Sequence, residues 1–344
     1  MKKISAYLFV LYCTHIFACS VPVFRYALER WYPDPYILKL NYNESQTNEL
    51  AEVLTTVRKY DNGYSLDIKK IKTSNSLSRV VLQYPKKSGV MTNVCDAAMT
   101  VGNVEKMLDS PARREIARRI IAGDSVVFLL LKGDDEKKNK KTADFLSKNL
   151  PVIEKNIELP HEYTDIPEED LQIYDTNIVF KLSMFQLSKN NPEDKVFINM
   201  LTRIIPAKIL TNSYPIVYPV FARGRILTAM LAKEVTKRNL EGVCEYIAGE
   251  CSCEIKGQNP GIDLLFSVDW DSLIEPGIDL DVMLPPLAGF SEFVPEKIKT
   301  NSAVAAKPLE SNDKLKLWRN ITILICVIAA GGAIYAFRYS RRSS

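Results

Sequence analysis

The apolar and polar positions in the first third of the chain predict an α/β unit. Period-two alternation and short apolar runs predict strands, and apolar residues three and four positions apart predict helices. The predicted strands are 36–42, 65–71 and 79–84, and the predicted helices are 22–31, 46–57 and 110–122. Ser110 and Pro111 give the last helix a cap and a proline at its first position. The order is β-α-β-β-α behind a leading helix, and residues 86–103 are polar and irregular.

The stretch from residue 125 to residue 248 shows a longer version of this pattern. The run 125–131 is apolar at all but its first position, which is typical of a strand that is buried on both faces. The predicted strands are 125–131, 177–187, 216–223 and 226–231, and the predicted helices are 142–157, 191–205 and 239–248. The charged run 134–141 is either an exposed loop or a helix start, and residues 262–270 predict a further strand.

The element order of this second unit looks like a thioredoxin fold. It reads β-α-β-α-β-β-α, with Pro215 or Pro219 at the start of the third strand. Alternating strands and helices imply a parallel or mixed sheet with helices on both faces. The sequence therefore predicts two tandem thioredoxin-like units, of which the first is the looser version.

The N-terminal residues have the pattern of an export signal. Two lysines precede the largely apolar run 4–18, which has signal-peptide length and is short for a membrane span. Ala18 directly before Cys19 resembles a bacterial lipobox, in which Cys19 is lipidated after cleavage. Ordinary cleavage nearby, with Cys19 left as a plain thiol, is the alternative. Residues 1–18 are predicted to be a signal peptide in both cases.

The C-terminal residues predict a membrane anchor. Residues 321–337 carry no charge and would extend about 26 Å as a helix at roughly 1.5 Å per residue. Trp318 and Tyr335 lie near the two ends, where aromatic rings favour the membrane interface, and three arginines follow. The pattern predicts a transmembrane helix at 318–338 and a cytoplasmic basic tail at 339–344.

Together these segments predict a bacterial inner-membrane protein whose bulk lies in the periplasm. The fold class is α/β, with two thioredoxin-like units and one C-terminal transmembrane helix. The predicted organisation is a signal peptide (1–18), a first domain (19–123), a second domain (124–271), a wrap-around segment and linker (272–317), the transmembrane helix (318–338) and the basic tail (339–344).

Charge and composition exclude several classes of function. The chain has 45 Lys and Arg against 41 Asp and Glu, a formal net charge of +4. Six of the basic residues lie in the two end segments, which leaves 39 against 41 in the exported body, so no nucleic-acid footprint is predicted. No glycine-rich phosphate motif is present, so no nucleotide is predicted either. With only two histidines, serine triads and histidine-rich metal sites are excluded, and no cofactor is predicted.

Several sequence blocks resemble a group of membrane-anchored bacterial envelope proteins with no settled activity. The blocks are VFRYALERW (23–31), SPARR (110–114), GDS (123–125), CSC (251–253), NPGIDLL (259–265) and DW (269–270). The likeness extends over most of residues 19–271 and implies an envelope location and a shared fold. One departure is Ala222, where such proteins tend to have glycine.

Four cysteines of the exported body remain for chemistry once Cys19 is set aside: Cys95, Cys244, Cys251 and Cys253. Cys251 and Cys253 are one residue apart, and oxidation would close a small strained ring that is readily reduced. Three interpretations stay open. They are a structural disulfide from Cys244 to Cys251 or Cys253, thiol redox chemistry with Cys251 and Cys253 as the catalytic pair, and copper or zinc binding through the same thiols.

The predicted helix starts argue against thioredoxin-like catalysis. Such catalysis places its nucleophile at the N-terminus of the first helix after the first strand, where the helix dipole lowers the thiol pKa. Those positions fall near 43–47 and 134–141, and neither contains a cysteine. The sequence therefore favours a non-catalytic interaction protein, an accessory subunit whose partner is another envelope protein. A membrane-tethered thiol–disulfide protein is the alternative, and metal delivery is the third.

Three aspartates flank the predicted strand 262–270, and they are Asp263, Asp269 and Asp271. Aspartates at strand ends are typical of turns, because their side chains accept hydrogen bonds from the backbone two residues on. Cation binding is the less favoured alternative.

Overall fold

Two mixed sheets and their helices make up the part of the chain that the computed structural model describes. This part is residues 19–274, except 62–64, 75–76, 161–178, 208, 211–212 and 252–255. The predicted signal peptide, the transmembrane helix and nearly all of the predicted linker lie outside the described residues. Within the described residues, no helix is both long enough and apolar enough to cross a membrane.

The N-terminal elements lead into a four-stranded sheet of order β3-β2-β4-β5. The elements are β1 (Cys19–Pro22), α1 (Val23–Arg30), β2 (Tyr36–Tyr42), α2 (Thr47–Tyr60), β3 (Leu66–Lys72), β4 (Arg79–Gln83), β5 (Asn93–Ala98), α3 (Val101–Leu108) and α4 (Pro111–Ile121). Strand β2 is parallel to β3 and antiparallel to β4, which is antiparallel to β5. The alternation predicted for β2 is observed, since Tyr36, Leu38 and Leu40 are buried.

The second sheet has the order β12-β9-β8-β6-β7, with β10 paired to β8. The elements of this part are β6 (Val126–Lys132), α5 (Glu136–Asn156), β7 (Leu182–Ser188), α6 (Lys195–Thr202), β8 (Ile216–Phe221), β9 (Arg225–Ile226), β10 (Met230–Leu231), α7 (Lys237–Ala248), β11 (Glu250–Cys251), β12 (Ile262–Asp263) and α8 (Trp270–Leu273). Strand β6 is parallel to β7 and antiparallel to β8, and β8 is antiparallel to β9. Of the two prolines considered, Pro215 directly precedes β8, whereas Pro219 lies inside it.

Strand β6 separates two hydrophobic cores. Val127, Leu129 and Leu131 join the core that the two sheets share, together with residues of α2, α3, α4 and α6. The intervening residues of β6 face a second core, which is covered by α1, α5 and α7. A strand covered on both faces needs apolar residues at consecutive positions, and this explains the continuous run that predicted it.

The leading segment packs on the second sheet. Helix α1 lies against α7, and the Phe24 ring lies 5.6 Å from that of Phe180. Strand β1 forms a separate two-stranded antiparallel ribbon with β11. Residues 19–31 are therefore held by the predicted second unit, although they precede the first sheet along the chain.

Two segments differ from the sequence expectation, and a third matches one of its two stated alternatives. Residues 86–103, expected to be irregular, contain β5 and the start of α3. For the charged run 134–141 the helix start, one of the two alternatives, is observed. Helix α5 begins at Glu136 and continues through Pro151. The strand expected over 262–270 is reduced to the two residues of β12 before α8 begins.

A buried arginine closes the C-terminal end of α3. Arg113 is 1% exposed and donates hydrogen bonds to the carbonyls of Met107 and Leu108 at 2.9 Å and of Lys106 at 3.0 Å. These carbonyls have no partner within the helix, so the guanidinium fulfils their hydrogen-bonding capacity. Burial lowers the pKa of Arg113 to about 10, which still leaves it charged at neutral pH.

Candidate functional site

The start of α5 is the position at which a thioredoxin-like unit would carry its reactive thiol. Polar side chains cap the helix there. Asp135 caps the helix and accepts a hydrogen bond from the backbone N–H of Lys138 at 3.2 Å. Asn139, which is buried, accepts from the Gly133 N–H at 2.8 Å and donates to the Gly133 carbonyl at 2.9 Å. Side chains without nucleophilic sulfur thus fix the turn between β6 and α5.

A cleft of about 300 Å³ opens beside this turn, at the carboxyl ends of the parallel strands β6 and β7. Its lining residues include Leu131, Lys132, Gly133, Lys189, Asn190, Ile198, Thr202, Leu210, Tyr214 and Ile216. In α/β sheets ligands bind at the carboxyl ends of the strands, where loops and helix N-termini converge. We refer to this feature as the strand-end cleft.

The charged groups around the strand-end cleft are paired with one another. Lys132 lies 3.2 Å from Glu136, and Lys138 lies 3.0 Å from Asp135 and 3.8 Å from the centre of the Tyr214 ring. The side-chain hydrogen bond with Lys138 lowers the pKa of Asp135, and a hydrogen bond from Asn139 lowers that of Glu136. Such ionised, paired carboxylates are poor general acids at neutral pH, so the arrangement suits recognition by hydrogen bonds.

Close backbone approach shapes one wall of the strand-end cleft. A Cβ atom on Gly133 would lie 2.7 Å from the carbonyl carbon of Tyr214 and 2.8 Å from that of Ser213. Glycine is therefore required where β6 ends, and it brings the segment before β8 against the start of α5. This contact joins elements that the sequence separates by about 80 residues.

The corresponding helix start of the first sheet also lacks a cysteine. A short 3₁₀ turn, Glu44–Gln46, precedes α2, and the Asn43 side chain accepts from the Ser45 N–H at 3.1 Å. Glu44 forms an ion pair with Lys72 at the surface. Both helix starts that the sequence singled out therefore carry capping and ion-pairing residues.

The two cysteines whose side chains are described lie in apolar surroundings. Cys95 on β5 is half-buried, and Cys244 on α7 is fully buried in the second core. Burial raises the pKa of both thiols, to about 12 for Cys244. At neutral pH Cys244 is therefore a protonated core thiol, and it forms no disulfide in this structure.

The CSC motif starts at the end of β11. The backbone register sets Cys251 opposite Cys19 in the antiparallel ribbon. Cys253 and the side chains of Cys19 and Cys251 lie outside what the structure describes. The predicted roles of Cys251 and Cys253, and lipidation of Cys19, accordingly stay predictions.

A buried ionic cluster forms where several of the resembling sequence blocks meet. Asp263 is 5% exposed and accepts from Arg225 at 2.7 Å, from the backbone N–H of Asp34 at 2.7 Å and from Lys256. Arg225 also donates to the carbonyls of Asn259 at 2.9 Å and Pro260 at 3.1 Å. We call this set of residues the Asp263 cluster.

The neighbouring Arg223 extends this network to the leading helix. Its side chain donates to the Leu28 carbonyl at 2.7 Å and the Glu29 carbonyl at 2.9 Å, and it pairs with Asp271 at 2.6 Å. Asp269 caps α8 by accepting from the Ser272 N–H at 3.3 Å. The three aspartates considered as cation ligands are thus committed to protein partners, and no group of metal-ligating side chains is found within the described residues.

No protein-family model matches the chain, and no curated protein matches it either. What the chain does is therefore inferred from its own residues. The strand-end cleft could not be found from the sequence, because its walls come from three distant segments. The Asp263 cluster left a clearer signal, since Asn259, Pro260 and Asp263 all lie in the NPGIDLL block.

Proposed function

We propose that the chain is a membrane-anchored periplasmic interaction protein, an accessory subunit of an envelope membrane complex. Its body consists of two thioredoxin-like units that lack the catalytic dithiol. The observation that carries the proposal is the strand-end cleft, which lies beside a helix start without a cysteine and is bordered by paired charges.

The strand orders support the thioredoxin-like assignment. In each sheet a β-α-β crossover places two parallel strands side by side, and the first of them is antiparallel to the next strand of the chain. A further antiparallel strand follows in both sheets, and helices follow it. The sequence pattern predicted β-α-β-β-α for the first unit and β-α-β-α-β-β-α for the second, and the first sheet has one strand more, β5.

The chemistry of the cleft supports recognition of a partner. Lysine, asparagine and backbone groups line it together with apolar side chains, a combination that suits an extended polypeptide segment. The export signal, the predicted span at 318–338 and the resemblance to anchored envelope proteins support the location. We therefore expect the partner to be another envelope protein.

Site-specific photocrosslinking in membranes tests this proposal. The full-length chain would carry a photoreactive phenylalanine analogue at Tyr214, on the rim of the cleft, or at Val152, near the far end of α5. Both positions are 45% exposed, so Val152 is a matched control. We expect one discrete membrane-protein adduct from position 214 and none from position 152. Equal labelling from both positions would contradict recognition at the cleft.

A disulfide-exchange assay tests the catalytic alternative. The wild type and Cys251→Ser would be compared for the rate at which they exchange with a fluorescent peptide disulfide. We expect equal rates, close to that of the buffer alone. A wild-type rate at least tenfold above that of Cys251→Ser would replace the proposal with the membrane-tethered thiol–disulfide protein.

A further inference from the structure

The ribbon formed by β1 and β11 brings two cysteines from opposite ends of the folded body into register. Cys19 and Cys251 are Cα partners in this antiparallel pair, and a bulge on β1 lets Pro22 pair with Glu250 beside them. Directly opposite residues of an antiparallel pair lie on the same side of the ribbon. The register therefore places both cysteines at one position of one face.

The spacing of such a pair is compatible with a disulfide. Opposite residues in antiparallel strands have Cα atoms about 4.5 to 5.5 Å apart. Disulfides join cysteines whose Cα atoms are roughly 4.4 to 6.8 Å apart. The bond can thus form without displacing either strand.

Neighbouring residues attach both strands of the ribbon to the second core. The backbone N–H of Val23 donates to the Gly249 carbonyl at 2.9 Å. Val21 is fully buried, and so is Ala248 at 1% exposure, both in the second core. The hydrogen bond lies on the Pro22 side of the register shift and fixes the ribbon there, and Cys19 pairs with Cys251 on the other side of the shift.

We propose that Cys19 and Cys251 form a disulfide in the exported protein. A thiolate of one cysteine attacks a disulfide-bearing oxidant, either a protein or a small molecule, which breaks the oxidant's S–S bond and releases one of its sulfurs. The other cysteine then attacks the mixed disulfide and displaces the oxidant's second sulfur. One S–S bond forms and two S–H bonds break. The two electrons reduce the oxidant to two thiols, which also take up the two protons.

This disulfide excludes two interpretations that the sequence left open. Cys19 in a disulfide cannot carry a lipid on the same sulfur, and Cys251 cannot pair with Cys253. A lipidated Cys19 would also lie within about 7 Å of chain from the buried Val21, which would press the body against the bilayer. The proposal rests on the strand register and on the export that is part of the proposed function, and it does not depend on the role of the strand-end cleft.

Peptide mapping without reduction tests the proposal. The full-length chain is expressed with its own export signal in a bacterial host, and free thiols are blocked with N-ethylmaleimide at lysis. Cleavage after Arg25 and Glu250 separates the Cys19 peptide from the short peptide that contains Cys251 and Cys253, and cleavage after Glu245 separates Cys244 from both. The wild type is compared with Cys251→Ser and with the matched control Cys253→Ser.

We expect the Cys19 peptide to be linked to the CSC peptide in the wild type and in Cys253→Ser, and unlinked in Cys251→Ser. Dithiothreitol should release both peptides. A lipid on Cys19, a bond between Cys251 and Cys253, or maleimide on both Cys19 and Cys251 in the wild type would each overturn the proposal. A linkage that persists in Cys251→Ser would do so too. If a variant fails to fold, fragmentation of the linked wild-type peptide still decides, because it shows which of Cys251 and Cys253 carries the maleimide and which is linked to Cys19.

Discussion

Replacing Asp263 by asparagine is expected to destabilise the protein strongly. The carboxylate accepts hydrogen bonds from Arg225, Lys256 and the Asp34 N–H, and it is almost completely buried. Asparagine keeps the shape but loses the negative charge. In either orientation its amide NH₂ faces a donor, so at least one hydrogen bond is lost. Arg225 loses its carboxylate partner, and Lys256 keeps only Asp34, at 3.2 Å.

The size of the effect follows from the burial of the pair. Removing one partner of a buried ion pair costs about 3–5 kcal/mol, because the remaining charge is left uncompensated. A change of 1 kcal/mol moves the unfolding midpoint of a domain of this size by roughly 2–4 °C. Asp263→Asn should therefore lower the midpoint by about 6–20 °C.

Thermal unfolding followed by tryptophan fluorescence measures this change. Trp31 and Trp270 are both buried, and the Arg225 guanidinium lies 5.7 Å from the Trp31 ring, so the signal reports on this region. The control is Asp144→Asn, which removes the exposed ion pair with Lys140 and should change stability by about 0.5 kcal/mol or less. If both variants unfold at the same midpoint, the Asp263 cluster does not hold the fold.

Three further outcomes are expected. Ala222 has a φ of +50°, so Ala222→Val should lower stability by about 2 kcal/mol or more in a thermal melt. Ala222→Gly should stay within about 1 kcal/mol of the wild type, and equal losses in the two variants would refute strain at this position. Gly133→Ala should lower the stability by about 1–3 kcal/mol and weaken crosslinking from position 214, because the added Cβ collides with the backbone of Ser213 and Tyr214. Unchanged stability and crosslinking would contradict the close approach. Burial raises the pKa of Cys244 from its ordinary value of 9.0 to about 12, so its contribution to stability is present below pH 9 and is lost as the pH rises toward 12. In thermal melts at alkaline pH, Cys244→Ala should therefore lose less stability over this range than the wild type. An equal loss in the two proteins would contradict the raised pKa.

The departure noted at Ala222 has a structural explanation. Phe221 ends β8 and Arg223 donates hydrogen bonds to the carbonyls of Leu28 and Glu29, and residue 222 turns the chain between them with a left-handed backbone. Glycine reaches this conformation without strain, which fits its expected presence in the resembling proteins. The sequence pattern indicated the position, and only the backbone angle gives the reason.

The candidate sites were only partly predictable. The absence of cysteine at both helix starts could be deduced, since capping patterns locate the N-termini of α2 and α5 approximately. The strand-end cleft could not, because Lys132, Lys189 and Tyr214 meet only after β6, β7 and β8 have paired. Arg113 is one of four arginines in α4, and it is buried because it donates hydrogen bonds to carbonyl groups at the end of α3, which no sequence pattern indicated.

The sequence by itself determined the order of most strands and helices, the continuous burial of β6 and the start of α4 at Pro111. These features depend on side-chain directions that repeat every 2 or 3.6 residues and on caps a few residues long. The tertiary structure alone decided the strand orders, the register of Cys19 against Cys251 and the pairing of Asp263 with Arg225 and Lys256. Those depend on contacts between residues far apart in the chain, whose free energy no local pattern encodes.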